Sequence, residues 1–224
     1  MDNSMDLLAF VLPLFLSIIL HEMAHGWMAS MLGDTTAERA GRLTLNPIAH
    51  VDPVGSLLVP GILFLSNAGF MFGWAKPVPV NFAALHHPKK DMGLVAAAGP
   101  GMNLILAVLF AVGFKSVLTC STPTPGMTWL AAFCQYGILI NLSLCAFNLF
   151  PLLPLDGGRI VTSLLPMKWA VRYSETEKYG FLVLMVILIG FPLLGDAFGY
   201  NLDIISTYMS WMMKQFVYLF NFIL

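Results

Sequence analysis

Charge is what this chain has least of. Its 11 Lys and Arg and 12 Asp and Glu make up 10% of 224 residues, where a soluble domain carries roughly a quarter. With 58% hydrophobic residues and a mean hydropathy of +0.80, the composition is that of an integral membrane protein. A net charge of −1, with no basic block and no basic patch interleaved with aromatics, excludes nucleic acid as a partner. Cysteine is sparse too: Cys120, Cys134 and Cys145 are scattered, an odd number without C-x-x-C spacing. That excludes a disulfide framework and a cysteine metal site, and leaves packing as their role. No Lys or Arg precedes Arg39, whereas Asp2 and Asp6 do. The apolar run that follows is too long for a signal peptide, so the first helix is expected to be retained. Internal repeats and low-complexity stretches are missing, and no soluble domain is recognisable at either end.

What is present centres on His21-Glu22-Met23-Ala24-His25, an H-E-x-x-H sequence inside the apolar run from about Leu7 to Leu32. Residues four apart on a helix share a face, so both imidazoles can point at one cation. Glu22 lies beside that face and is free to act as base for a metal-bound water. Ionisable groups in the middle of a membrane-length helix are costly to bury, which marks them as functional rather than structural.

Beyond Gly33-Asp34, the alternation in Arg42-Leu43-Thr44-Leu45 suggests a short strand. Val51 to Phe72 is apolar but broken by Pro53, Gly55, Pro60-Gly61 and Gly69. A second strand signal spans Trp74 to Asn81, confined by Pro77 and Pro79 to an edge. Further spans are expected over Met92 to Phe114, Trp129 to Phe150, Tyr179 to Leu194 and, more weakly, about Asp203 to Leu224. Nine of the basic residues fall in three segments: Arg39 and Arg42; Lys76, Lys89 and Lys90; and Arg159, Lys168, Arg172 and Lys178. By the positive-inside rule these face the cytoplasm, which makes Val51 to Phe72 enter and leave on one side as a re-entrant segment. The expected fold is a membrane all-α bundle of about five to six transmembrane helices, with a re-entrant segment and short membrane-associated β-strands. It forms one domain over residues 1–224, with a catalytic core at about 7–158 and C-terminal helices at about 176–224.

A catalytic zinc takes three protein ligands and keeps one position open. The third ligand is sought among Asp34, Asp52, Asp91, Asp156, His50, His86 and His87. Asp156 suits best, because a Pro-rich turn after a helix end can return it toward the membrane and Gly157-Gly158 permits close backbone approach. His86 and His87 read as part of a solvated loop, and His50 as a turn residue.

Several motifs in order resemble the site-2 protease family of intramembrane zinc metalloproteases, in its short prokaryotic form without PDZ or CBS domains. They are the H-E-x-x-H helix, Gly41 to Pro47, Gly73 to Asn81, Ala98-Gly99-Pro100-Gly101-Met102-Asn103, and Asn148 through Gly157. The resemblance implies that His21, His25 and Asp156 bind one Zn2+, that Glu22 is the general base, and that Asn148 steadies the substrate or oxyanion. Transmembrane proteins would be the substrates, cut in or near their spans in the lipid bilayer of the prokaryotic inner membrane, with the site toward the cytoplasmic side. Arg42 to Leu45 or Ala75 to Val80 could offer a strand edge to an unwound substrate, or could only brace the re-entrant segment. The competing reading is a membrane metal carrier or a non-catalytic metal-binding membrane protein, which needs neither the Glu22 base nor a placed Asn148.

Overall fold

A computed structural model describes residues 3–65, 73–119, 124–200 and 202–221. The chain opens with α1 (Asn3–Met31) and a short α2 (Thr36–Arg39). A 3-10 turn (Pro47–His50) and a π turn (Pro53–Leu58) then run into α3 (Val59–Leu65). After an irregular stretch come α4 (Pro88–Leu118), α5 (Pro125–Asn148), α6 (Asp156–Leu164) and α7 (Met167–Ser174). Finally, α8 (Glu177–Met185) continues through a π turn (Val186–Gly190) into α9 (Phe191–Phe198), and α10 covers Ile204–Asn221.

Local chemistry sets these boundaries. Pro88 and Pro125 occupy the first turns of α4 and α5, where a missing N–H costs nothing. Thr124 caps α5 by accepting from Met127 N at 3.3 Å, and Asp91 Oδ2 accepts from His87 N at 2.7 Å at the start of α4. α9 stops at Gly199, whose φ of +71° is the left-handed conformation glycine adopts freely.

Among the described residues, four helices are long and apolar enough to cross a membrane: Met5–Met31, Pro88–Leu118, Pro125–Asn148 and Glu177–Phe198. The protein is therefore an integral membrane all-α bundle. The region expected as a weaker fifth span folds as α10, an 18-residue helix about 27 Å long that is not among these four. Large apolar side chains face outward, among them Leu7, Phe15, Ile105, Leu109 and Leu182. The most completely buried side chains include small and polar ones: Ala107, Ala111, Ala146, Ser17, Asn103 and Asn141 are all fully buried. Lipid tails are as apolar as leucine, so membrane helices gain more from close backbone approach and shared hydrogen bonds.

α1, α4 and α5 form the inner bundle, with α6 packed against α4. Phe216 and Phe220 of α10 close on Ala107, Ala111, Leu142, Cys145 and Ala146. A buried polar chain joins the three inner helices. Asn103 Nδ2 donates to Asn141 Oδ1 at 2.9 Å, and Asn141 Nδ2 donates to Ser17 Oγ at 2.7 Å. Interhelical bonds of this kind average only about 0.6 kcal/mol in membranes.

The two expected strands are not formed. Arg42 to Leu45 and Trp74 to Asn81 are irregular backbone, and no strand occurs among the described residues. The second segment nonetheless keeps the period of two of extended chain. Trp74 N donates to Gly55 O at 3.1 Å, Lys76 N to His50 O at 2.9 Å and Val78 N to Glu22 Oε2 at 2.8 Å. Its inward edge is spent on two turns and a side chain instead of a ladder, and Pro77 and Pro79 remove two N–H groups from the outward edge. Of the expected re-entrant segment, 66–72 lie outside the described residues. The described part is a π turn and a short helix, into which Trp74 packs through Gly55. Cys120 and Asp2 also lie outside the described residues.

Candidate metal centre

His21 and His25 sit one turn apart on α1, with ring centroids 4.7 Å apart and planes at 87°. Asp156 comes from the start of α6. The turn before it folds tightly enough that a Cβ on Gly157 would stand 2.3 Å from Leu149 O, so glycine is required there. The three donor atoms converge. His21 Nε2 and His25 Nε2 are 3.1 Å apart, and Asp156 Oδ2 lies 3.3 Å from the first and 3.4 Å from the second.

The proton positions follow from the partners on the far side of each ring. His25 Nδ1 is 2.7 Å from Val95 O, a carbonyl that can only accept, so Nδ1 carries the proton and Nε2 presents a lone pair. His21 Nδ1 is 2.6 Å from Asn103 Oδ1, which likewise makes Nδ1 the donor. Two imidazole lone pairs and a buried carboxylate oxygen with no hydrogen-bond donor therefore face one point. Such a set suits a metal cation. Tetrahedral zinc with ligands near 2.05 Å sets its donor atoms about 3.3 Å apart, the spacing found here. Gly99 of α4 completes the cradle: a Cβ there would meet His25 Nε2 at 2.4 Å and His21 Cε1 at 2.6 Å.

Among the described residues, His21, His25 and Asp156 are the one group of three or more His, Cys, Asp or Glu close enough to share a metal. The other candidate ligands are engaged elsewhere. Asp34 accepts from Thr36 N at 2.9 Å, from the Thr36 hydroxyl and from Asn81 N at 2.6 Å. Asp52 caps the π turn through Val54 N and Gly55 N, and Asp91 caps α4. His50 is buried, with Nε2 2.8 Å from Thr44 O, and braces the loop. His86 lies against Gly33, and the His87 side chain is exposed.

Glu22, one residue round the helix from His21, accepts the Val78 N–H on Oε2 and keeps Oε1 for other work. Asn148 is turned onto its own helix, its Nδ2 donating to Leu144 O at 3.0 Å. Sequence reasoning missed the partners behind the histidines. Asn103 stood in a recognised motif without a role, and Asn141 and Ser17 were passed over, although polar side chains inside apolar spans are themselves a signal.

Comparison with known proteins places the chain in a family. The profile described as peptidase family M50 matches residues 117–191, which include Asn148 and Asp156. The chain is 42% identical over 186 residues to the Bacillus subtilis protein named "Putative zinc metalloprotease YwhC", covering 80% of this chain and 79% of that one. It is 30% identical to "Putative zinc metalloprotease Rip2" of Mycolicibacterium smegmatis, over 78% of this chain and 64% of the relative. "Zinc metalloprotease MJ0392" of Methanocaldococcus jannaschii is 24% identical over 80% of this chain and 40% of its own length. No solved structure matches significantly.

Proposed function

The chain belongs to peptidase family M50, the site-2 proteases, and from that membership we propose how its own residues carry out the reaction. It is an intramembrane zinc metalloprotease that hydrolyses peptide bonds in or near transmembrane segments of membrane proteins. The convergence of His21 Nε2, His25 Nε2 and Asp156 Oδ2 within 3.1–3.4 Å is the observation that supports these three as the zinc ligands. Bound there, zinc supplies a Lewis acid that polarises a carbonyl and acidifies water.

Glu22 takes the proton of the attacking water on Oε1, while the Val78 N–H fixes Oε2 and with it the plane of the carboxylate. The same carboxyl then returns the proton to the departing amide nitrogen. Asn148 donates to the developing oxyanion once its amide rotates off Leu144 O. Asp156 and the imidazoles hold the cation between them, and Gly99 leaves room for the two rings.

A substrate helix must unwind to expose a carbonyl, and each unpaired amide in lipid costs several kcal/mol. The outward edge of Ala75 to Val80 offers carbonyl oxygens for the released N–H groups, while Pro77 and Pro79 contribute no N–H. We read the whole chain as a single domain, because Trp74 packs on Phe181 at 5.5 Å and Phe150 on Tyr208 at 5.0 Å, each ring pair joining the core to the C-terminal helices. The distribution of basic residues supports a site toward the cytoplasm.

Zinc content and cleavage of a single-span substrate test the ligand set together. Wild type is expected to hold about one zinc per chain, to lose cleavage on chelation and to regain it with added zinc. Asp156→Ala is expected to lose the metal. Zinc retained at full occupancy by Asp156→Ala would remove Asp156 from the ligand set.

A further inference from the structure

We propose that Asn141, acting through Asn103 and held by Ser17 and the Gly137 carbonyl, is a positioning residue that locks His21 in the tautomer that binds zinc. The inference rests on the metal centre described above and assigns a task to three side chains that never touch the metal.

The argument runs from the far end of the chain of bonds. Gly137 O is a backbone carbonyl and can only accept, and Asn141 Nδ2 donates to it at 2.8 Å. The second proton of the same amide goes to Ser17 Oγ at 2.7 Å, and the Ser17 hydroxyl spends its own proton on Pro13 O at 2.6 Å. The Asn141 amide therefore has one orientation, with Oδ1 turned toward α4. There it accepts from Asn103 Nδ2 at 2.9 Å, which turns Asn103 Oδ1 toward His21 at 2.6 Å. An oxygen in that position requires the proton on His21 Nδ1 and so leaves Nε2 as a ligand. Were the Asn103 amide reversed, its N–H would face Nδ1 and drive the proton to Nε2, where it would compete with the metal.

Ser17, Asn103 and Asn141 are all fully buried, so water does not substitute for any of these partners. His25 needs no such chain, because Val95 O does the same task directly. The asymmetry explains why two asparagines are kept inside apolar helices whose hydrogen bonds do little to hold the bundle together. Outer partners of this kind typically alter metal affinity ten- to hundredfold.

The test measures zinc affinity of the purified full chain in detergent by competition with a chelator, with the thermal unfolding of each metal-free variant as the check on folding. Asn141→Leu keeps the branched shape but frees the Asn103 amide to reverse, and is expected to weaken zinc binding about ten- to hundredfold. Adding Asn103→Asp to that variant is expected to restore affinity, because a carboxylate has only acceptors and holds the Nδ1 proton without help. A merely structural role for Asn141 predicts no such rescue. Unchanged affinity in Asn141→Leu, or a double variant no tighter than the single, overturns the proposal. Should Asn141→Leu fail to fold, 15N NMR of zinc-loaded wild type decides: a proton on His21 Nδ1 is expected, and metal on Nδ1 overturns it. If wild type takes up no zinc at all, the metal centre itself falls, an outcome distinct from zinc-loaded wild type with an insensitive Asn141.

Discussion

At Gly99 the space between α4 and the two imidazoles is smaller than a methyl group: a Cβ would stand 2.4 Å from His25 Nε2. Gly99→Ala must push the rings off the point where they meet Asp156, and it is expected to lower zinc affinity by at least about tenfold, read by chelator competition. The bundle itself should survive, since the change adds a helix-favouring residue. Asp34 carries a different kind of prediction. Burial would raise its pKa, but the bonds from Thr36 and Asn81, with Arg39 nearby, hold it below the ordinary carboxylate value. A carboxyl with a lowered folded pKa stabilises above its unfolded pKa of about 3.9 and loses that contribution as pH falls through the folded value. The difference in thermal stability between wild type and Asp34→Asn is therefore expected to be full at about pH 6 and to shrink below about pH 4. A gap that persists at the lowest pH would mean the bonds do not depend on the charge.

Among the elements, the extended segment after residue 73 joins loop to chemistry. Asp34 pins its far end through Asn81 N, His50 O receives Lys76 N, and Val78 N reaches Glu22. Val78→Pro removes that N–H and leaves a residue compatible with extended backbone. It is expected to lower kcat by about ten- to a hundredfold, the worth of one hydrogen bond to a charged group, with zinc content unchanged. Val78→Ala, which keeps the N–H, separates that effect from lost packing.

The same segment shows what could and could not be read in the sequence. The two prolines marked an edge strand or an extended segment, and the structure has the extended segment. That its inward partners are two turns and a glutamate depends on long-range packing that no local pattern encodes. His21 and His25 were legible because four-residue spacing on a helix is local geometry. Asp156 was chosen for its Pro-rich turn, and the choice rested on the order of motifs as well as on chemistry. The chain from Ser17 to Asn103 was illegible, because it needs the relative rotation of α1, α4 and α5. Asn148 was recognised by position, but nothing local showed that its amide would turn back onto Leu144 O.

For the whole molecule, many leucines and phenylalanines face outward, while Ser17, Asn103 and Asn141 lie inside beside alanines and a smaller set of large apolar side chains. The span Glu177–Phe198 is only 11% buried over its most apolar window, against 39–50% for the other three, so it lies at the periphery. It is tied to the core by Arg159, whose Nη2 meets Glu177 Oε1 at 2.7 Å while its guanidinium sits 4.9 Å from the Phe82 ring. The ion pair is half-exposed, and Arg159→Gln is expected to cost at most about 1 kcal/mol of stability. Orientation is open to direct test: cysteines placed at Lys89 and Arg172 are expected to react with an impermeant thiol reagent only from the cytoplasmic side. Labelling of either from outside would reverse the topology.

The central claim is that Glu22 serves as the base at a zinc site built by His21, His25 and Asp156. Its most direct test is cleavage of a single-span membrane substrate by purified wild type and Glu22→Gln, with zinc measured in the same samples. The expected result is about one zinc per chain in both and a loss of cleavage of at least about a hundredfold in Glu22→Gln. Cleavage that survives in a zinc-loaded Glu22→Gln would contradict the account.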